Sequence, residues 1–126
     1  MTIQDLVQQL NNSSLSMFPI LKGNFLDEYF SSAPEEKVLM LLGEPEAYPD
    51  IPIWIYAFLA GMVHKLSNDF SLVVPDWIFK DMYYLDEPYF SENVTNDHLK
   101  IYLMYTSPSE FKHRNIFTSE DTLKRV

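Results

Sequence analysis

An all-α fold, with about six or seven short helices around one central buried helix, is predicted for this 126-residue sequence by three observations. Apolar residues recur at helical spacing in stretch after stretch. Hydroxyl, amide and carboxylate side chains, the residues that satisfy the orphan amides of a helix start, stand ahead of most of those stretches. Strict apolar/polar alternation, the mark of a half-buried strand, is scarce.

Thr2-Ile3-Gln4-Asp5 opens the first helix, with a hydroxyl to accept from early amides, a carboxylate in the first turn, and Ile3, Leu6, Val7 and Leu10 on one stripe. Asn11 to Ser16 favours local side-chain bonds over helix, and Pro19 and Gly23 are expected to extend that break. Phe25, Leu26, Tyr29 and Phe30 then predict a short helix ending in Ser31-Ser32. Ser32-Ala33-Pro34-Glu35 reads as a capping box, leading a helix that buries Val38, Leu39, Leu41 and Leu42 and closes on a left-handed Gly43. Pro45, Pro49 and Pro52 make the next segment a loop of fixed shape.

From Ile53 to Leu66 apolar residues cover nearly the whole circumference, with Trp54, Phe58, Met62 and Leu66 in one row. This is the predicted central helix. Leu72 to Pro75 reads as an extended linker, Pro75 to Phe79 as a helical turn, and Met82 to Phe90 as an irregular aromatic stretch plugging one end of the core. Thr95-Asn96-Asp97 opens a further helix that presents Leu99, Tyr102 and Leu103 on one face until Ser107-Pro108 stops it. The box Ser107-Pro108-Ser109-Glu110 starts a short turn carrying Phe111 and Arg114, and Thr118 to Asp121 heads a last stub with Leu123.

The length suits one domain, residues 1–126, and 47% hydrophobic residues supply enough apolar surface for a core. No cysteine is present, so neither disulfides nor thiolate-bound zinc can form, and the cytoplasm is the expected compartment. The opening residues lack a basic leader followed by an apolar run, and the longest apolar stretch falls short of the roughly 20 residues a membrane helix needs. A net charge of -9 repels phosphate backbones and anionic lipid, which disfavours direct nucleic-acid binding and favours a basic protein partner.

Catalytic and cofactor chemistry find little footing. His64, His98 and His113 are widely separated with no ligand-type spacing, so no metal is expected; His64 reads as a hydrogen-bonded core or edge histidine and His98 as solvated. Gly23, Gly43 and Gly61 are too far apart for a phosphate-cradling loop, and no serine lies in a nucleophile elbow. Glu35-Glu36 and Glu120-Asp121 complement helix N-termini, and Asp86-Glu87 reads as a solvated loop pair. No cofactor and no enzymatic activity are expected.

Charge singles out one segment. Residues 1–99 hold fifteen acidic and four basic side chains, whereas residues 100–126 hold three acidic and five basic, including both arginines. At its centre Phe111, Lys112, His113, Arg114, Asn115 and Phe117 combine a planar cation with aromatic anchors, the pairing enriched at interface hot spots. These six are the candidate partner-binding residues. The same stretch admits a structural reading, with Phe111, Ile116 and Phe117 buried against Tyr102 and Leu103 and Arg114 paired to an upstream carboxylate.

From about Leu26 onward the chain resembles a group of small bacterial domains with a V-P-x-W step, an E-P-Y/W-F step and a closing S-P-x-x-F-x-x-R-N-I/V-F motif. Here these are Val74-Pro75-Asp76-Trp77, Glu87-Pro88-Tyr89-Phe90 and Ser107 through Phe117. The resemblance implies an antitoxin-like protein, of a kind often joined to a DNA-binding helix-turn-helix and paired with a nucleotidyltransferase-like toxin. It implies a toxin-facing surface at the matched positions Phe111, Arg114, Asn115 and Phe117. The residues ahead of Leu26 are too few for a complete DNA-binding domain, which speaks against operator binding. An acidic nucleic-acid mimic that inhibits a DNA-binding enzyme is the alternative expectation, and a homodimer is compatible with the aromatic excess of Tyr83 to Phe90.

Overall fold

The most apolar stretch of the chain becomes its axis. In a computed structural model that describes residues 1–91 and 94–124, helix α4 (Ile53–Asp69) buries every residue from Ile55 to Val63, then Leu66 and Ser67. A helix apolar on all sides must be covered on all sides. The Ser67 hydroxyl, buried within it, is satisfied by donating to the Val63 carbonyl at 2.8 Å. Around it stand α1 (Ile3–Asn11), α2 (Phe18–Ser31), α3 (Pro34–Leu42), three 3₁₀ turns (Leu15–Met17, Asp76–Phe79 and Asp81–Tyr83), α5 (Asp97–Thr106) and α6 (Ser109–Lys112). The fold is mostly helical, and residues from Ile3 to Leu123 contribute to a single hydrophobic cluster.

α1 forms as its residues dictate. Thr2 accepts from the Asp5 amide, the Asp5 carboxylate accepts from the Thr2 amide, and Ile3, Leu6, Val7 and Leu10 are buried. α2 starts earlier than expected: Pro19 sits in its first turn, where a missing N–H costs nothing, and Gly23 is buried within it. α3 differs in both ends and face. Ser32 donates its hydroxyl back to the Glu28 carbonyl, so no capping box forms, and Gly43 lies at φ -87° in extended geometry. The buried face carries Lys37, Met40 and Leu41, leaving Leu39 and Leu42 exposed. Lys37 is accommodated because its ammonium lies over the Tyr29 and Phe70 rings and donates to the Ser32 carbonyl.

The proline loop is tied at both ends. Tyr56 Oη accepts from the Tyr48 amide and donates to the Glu46 carbonyl, while Glu44 accepts from Lys80 at 2.6 Å and Tyr83 at 2.7 Å. Hydrogen bonds from those two donors hold the Glu44 carboxyl below its ordinary range against the opposing effect of burial. Trp77 and Tyr83 meet edge to face at 5.2 Å and close that end of the core, and residues 72–75 belong to no helix or strand, with Pro75 in extended geometry.

One element was absent from the sequence reading. Tyr89–Phe90 (β1) and Ile116–Phe117 (β2) pair in parallel, Tyr89 opposite Ile116 and Phe90 opposite Phe117. Two-residue strands carry no detectable alternation, so only the meeting of distant segments reveals them.

Candidate functional site

The motif at residues 107–117 is a docking device for the chain itself. Phe111 is buried against α4 at Gly61, where an added Cβ would stand 2.7 Å from the Phe111 ring. The absent side chain is the seat. Phe58 flanks the same ring at 4.9 Å between centroids. Ser107 is buried, donates to the Leu103 carbonyl and accepts from the Thr118 amide, tying the end of α5 to the residue after β2. It does not cap α6, whose N-cap is Pro108. Likewise Thr118 to Asp121 leads into a turn, with Ser119 Oγ accepting from the Asp121 amide.

Arg114 is 1% exposed and has no carboxylate within ion-pair distance among the described residues. Its Nη2 donates to the Ile78 carbonyl at 2.9 Å and its Nη1 to the Glu110 carbonyl at 2.9 Å. Nη1 also lies 3.2 Å from His64 Nδ1, and the guanidinium carbon sits 4.9 Å over the Tyr84 ring. The expected carboxylate partner is replaced by carbonyl dipoles, a ring face and an imidazole, and Nε is left without a partner. Burial lowers the affinity of this guanidinium for its proton, yet an arginine stays charged at any ordinary pH. Because arginine only donates, His64 must offer Nδ1 as an acceptor and carry its proton on Nε2.

Burial, then the adjacent Arg114, holds His64 below its ordinary value of 6.5. Glu110 raises it and His113 lowers it further. Partial burial pushes the Glu110 carboxyl up, but the Asn68 amide at 2.9 Å, the residue's own backbone amide, Lys65 and His64 hold it below 4.5. Asn115 takes φ 66°, a left-handed position that asparagine tolerates, and donates Nδ2 to the Leu85 carbonyl at 3.3 Å. Phe117 packs on Phe90 at 5.3 Å. Of the six candidate partner-binding residues, then, Phe111, Arg114 and Phe117 are buried, Lys112 and Asn115 half-buried, and His113 exposed.

The exposed apolar surface lies one element earlier. α5 is capped by Asn96, which accepts from the His98 and Leu99 amides, but Leu103 is its sole buried residue, at 7% exposure. Leu99, Ile101, Tyr102, Met104 and Tyr105 all face solvent, Tyr105 at 81%. Of the residues expected on one face, Leu103 is buried while Leu99 and Tyr102 are exposed, and α6 packs on α4. Ile101, Met104 and Tyr105 line a shallow depression of about 450 Å³, and Lys112 reaches back to donate to the Tyr105 carbonyl at 3.1 Å.

His98, Asp86 and Glu87 are exposed, and none of them, nor His113, lines that depression. No group of three or more His, Asp or Glu comes together as a metal site among the described residues, and no described helix is long and apolar enough to cross a membrane. Sequence reasoning missed Gly61 as the seat of Phe111 and His64 as the acceptor for Arg114. The available signals were a glycine and a histidine inside an otherwise apolar helix. Comparison with protein-family models, curated proteins and solved structures finds no match for this chain.

Proposed function

We propose that this chain works by binding another protein through the exposed face of α5 and the adjoining Lys112 and His113. The observation that carries the reading is the reversal of ordinary burial in α5: five large apolar side chains in one ten-residue helix are exposed while one is buried. Contiguous apolar surface of this kind marks interaction sites, and tyrosine, which supplies large contact area with few torsions, suits an interface centre. Phe111, Arg114 and Phe117 then serve the interface indirectly, by fixing the base on which α5 stands.

The partner is a protein with an apolar groove and a basic rim, since residues 1–99 carry fifteen acidic against four basic side chains. The motif resemblance makes this an antitoxin-like member of a bacterial pair, acting by occlusion of a nucleotidyltransferase-like toxin in the cytoplasm. Nucleic-acid mimicry has less support, because the described carboxylates are spread over many helix ends and loops, and Glu28, Glu44, Asp69 and Asp121 are engaged in ion pairs.

Co-expression with the product of the adjacent gene tests the proposal. The expected result is a stable complex whose association slows with added salt and which the paired substitutions Ile101→Ser and Tyr105→Ser abolish. A chain that sediments as a free monomer beside its co-expressed neighbour overturns it. A dimer that forms without the neighbour and is lost in the same variant assigns the face to a second copy instead.

A further inference from the structure

All the sulfur of this chain is thioether: six methionines and no cysteine. Met40 and Met62 are buried, and Met1 and Met17 are partly buried against the core. Met82 and Met104 are exposed, at 40% and 47%, so solvent reaches the two alike and only their surroundings tell them apart. Met82 stands in the short turn Asp81–Tyr83, beside the exposed and charged Lys80 and Asp81. Met104 stands on α5 with Ile101 one turn before it and Tyr105 after it, and these three line the shallow depression of that helix.

We propose that Met104 is an oxidation site, and that hydrogen peroxide acting there turns the apolar face of α5 polar and loosens a bound partner. The inference rests on the reading of that face as the partner-binding surface. In the reaction the thioether sulfur attacks one peroxide oxygen; an S–O bond forms, the O–O bond breaks, and the second oxygen leaves as water. Sulfur gives up two electrons and the peroxide takes them. The sulfoxide is a polar hydrogen-bond acceptor where an apolar side chain stood. Covered by a partner it needs a donor, and among the lining residues only Tyr105 has one in its side chain. An acceptor closed into an interface without a donor weakens binding, about tenfold for each 1.4 kcal/mol. Met82 is oxidised too, but its sulfoxide stays in water beside charged neighbours and leaves the α5 face unaltered.

Peroxide treatment of the full chain, read by peptide mass, is expected to add one oxygen to Met104 and to Met82 at least about tenfold faster than to Met40 and Met62, which are reached only by opening the core. The face itself is followed with bis-ANS, a dye that fluoresces on apolar surface, through the part of its signal that Ile101→Ser with Tyr105→Ser removes. That part should fall on oxidation of the native chain and of Met82→Leu, stay constant in Met104→Leu, and return with the two methionine sulfoxide reductases, each of which takes one epimer. Leucine is close to methionine in volume, so both variants keep the fold. Capture of the co-expressed neighbour should weaken about tenfold in the same pattern. Met104 reacting no faster than Met62, or a dye component that peroxide leaves unchanged or that falls equally in Met104→Leu, overturns the proposal. Failure to capture the neighbour while the dye responds as expected overturns the partner reading and leaves the oxidation site standing. Capture that peroxide does not weaken overturns the switch and leaves the partner face standing.

Discussion

Two neighbouring segments exchange the fates their composition suggests. Residues 109–117 read Ser-Glu-Phe-Lys-His-Arg-Asn-Ile-Phe, rich in charge, yet their arginine is among the largest fully buried side chains of the protein. α5, with leucine, isoleucine, methionine and two tyrosines, buries one residue. The difference lies in what each segment meets. Residues 109–117 meet a ready complement: a glycine seat for Phe111, two carbonyls and an imidazole for Arg114, and a strand edge for Ile116 and Phe117. α5 is held at its ends, by Asn96 and by Ser107, and meets little along its length. Burial follows complementarity of shape and hydrogen bonding, with hydrophobicity setting only how much is gained once that fit exists.

The sharpest way to break this contrast is Phe111→Ala. Removing a fully buried phenylalanine from a seat that cannot collapse is expected to cost about 3–5 kcal/mol of unfolding free energy, read from urea denaturation. A loss below about 1 kcal/mol would show that the segment is not part of the cooperative unit. Arg114→Met follows in size, since it leaves the buried Ile78 carbonyl unpaired, at about 1–3 kcal/mol. Arg114→Lys should not restore stability, because an ammonium cannot reach Ile78, Glu110 and His64 with one planar fork.

Acidity probes the same contact more gently. His64 is held below 6.5 in the folded protein, so the unfolded chain takes up that proton first as pH falls. Stability is therefore full above about 6.5 and declines as pH drops from there toward the folded value. Glu110, held below 4.5, adds its own loss only at lower pH, which separates the two groups. Urea midpoints measured between pH 7.5 and about 5 should fall in the native chain and fall less in His64→Gln, whose side-chain oxygen still accepts from Arg114. An unchanged slope in His64→Gln removes His64 from the docking contact. Smallest of all, Tyr105→Ser should alter stability by no more than about 0.5 kcal/mol, because an 81%-exposed side chain has little burial to lose. A larger loss would mean that α5 is covered after all.

Local signals were legible at the starts of two helices, where a residue and its partner lie within one turn. Thr2 with Asp5, and Asn96 with His98 and Leu99, cap their helices as the residue types imply. The same kind of signal failed at Ser32 and Ser107, whose hydroxyls turned back to the carbonyls of the preceding helix instead of forward to the next. A serine between two helices serves either, and the energies differ too little for sequence to choose. The buried face of α3 was misread for a related reason: Leu39 and Leu42 are as apolar as Met40 and Leu41, and the rotation of the helix is set by what it packs against.

By itself the sequence determined the class of the protein: a mostly helical fold whose axis is the one stretch apolar on every side, because a helix with no polar face has no stable place except a core. Tertiary structure alone decided that Gly61 receives Phe111, that a charged arginine is enclosed with no ion-pair partner among the described residues, that two dipeptides far apart in the chain pair as strands, and that α5 is left largely exposed. Each of those outcomes depends on shapes and hydrogen-bond partners brought together from distant positions. Contacts of that kind leave no periodic trace in the chain that makes them.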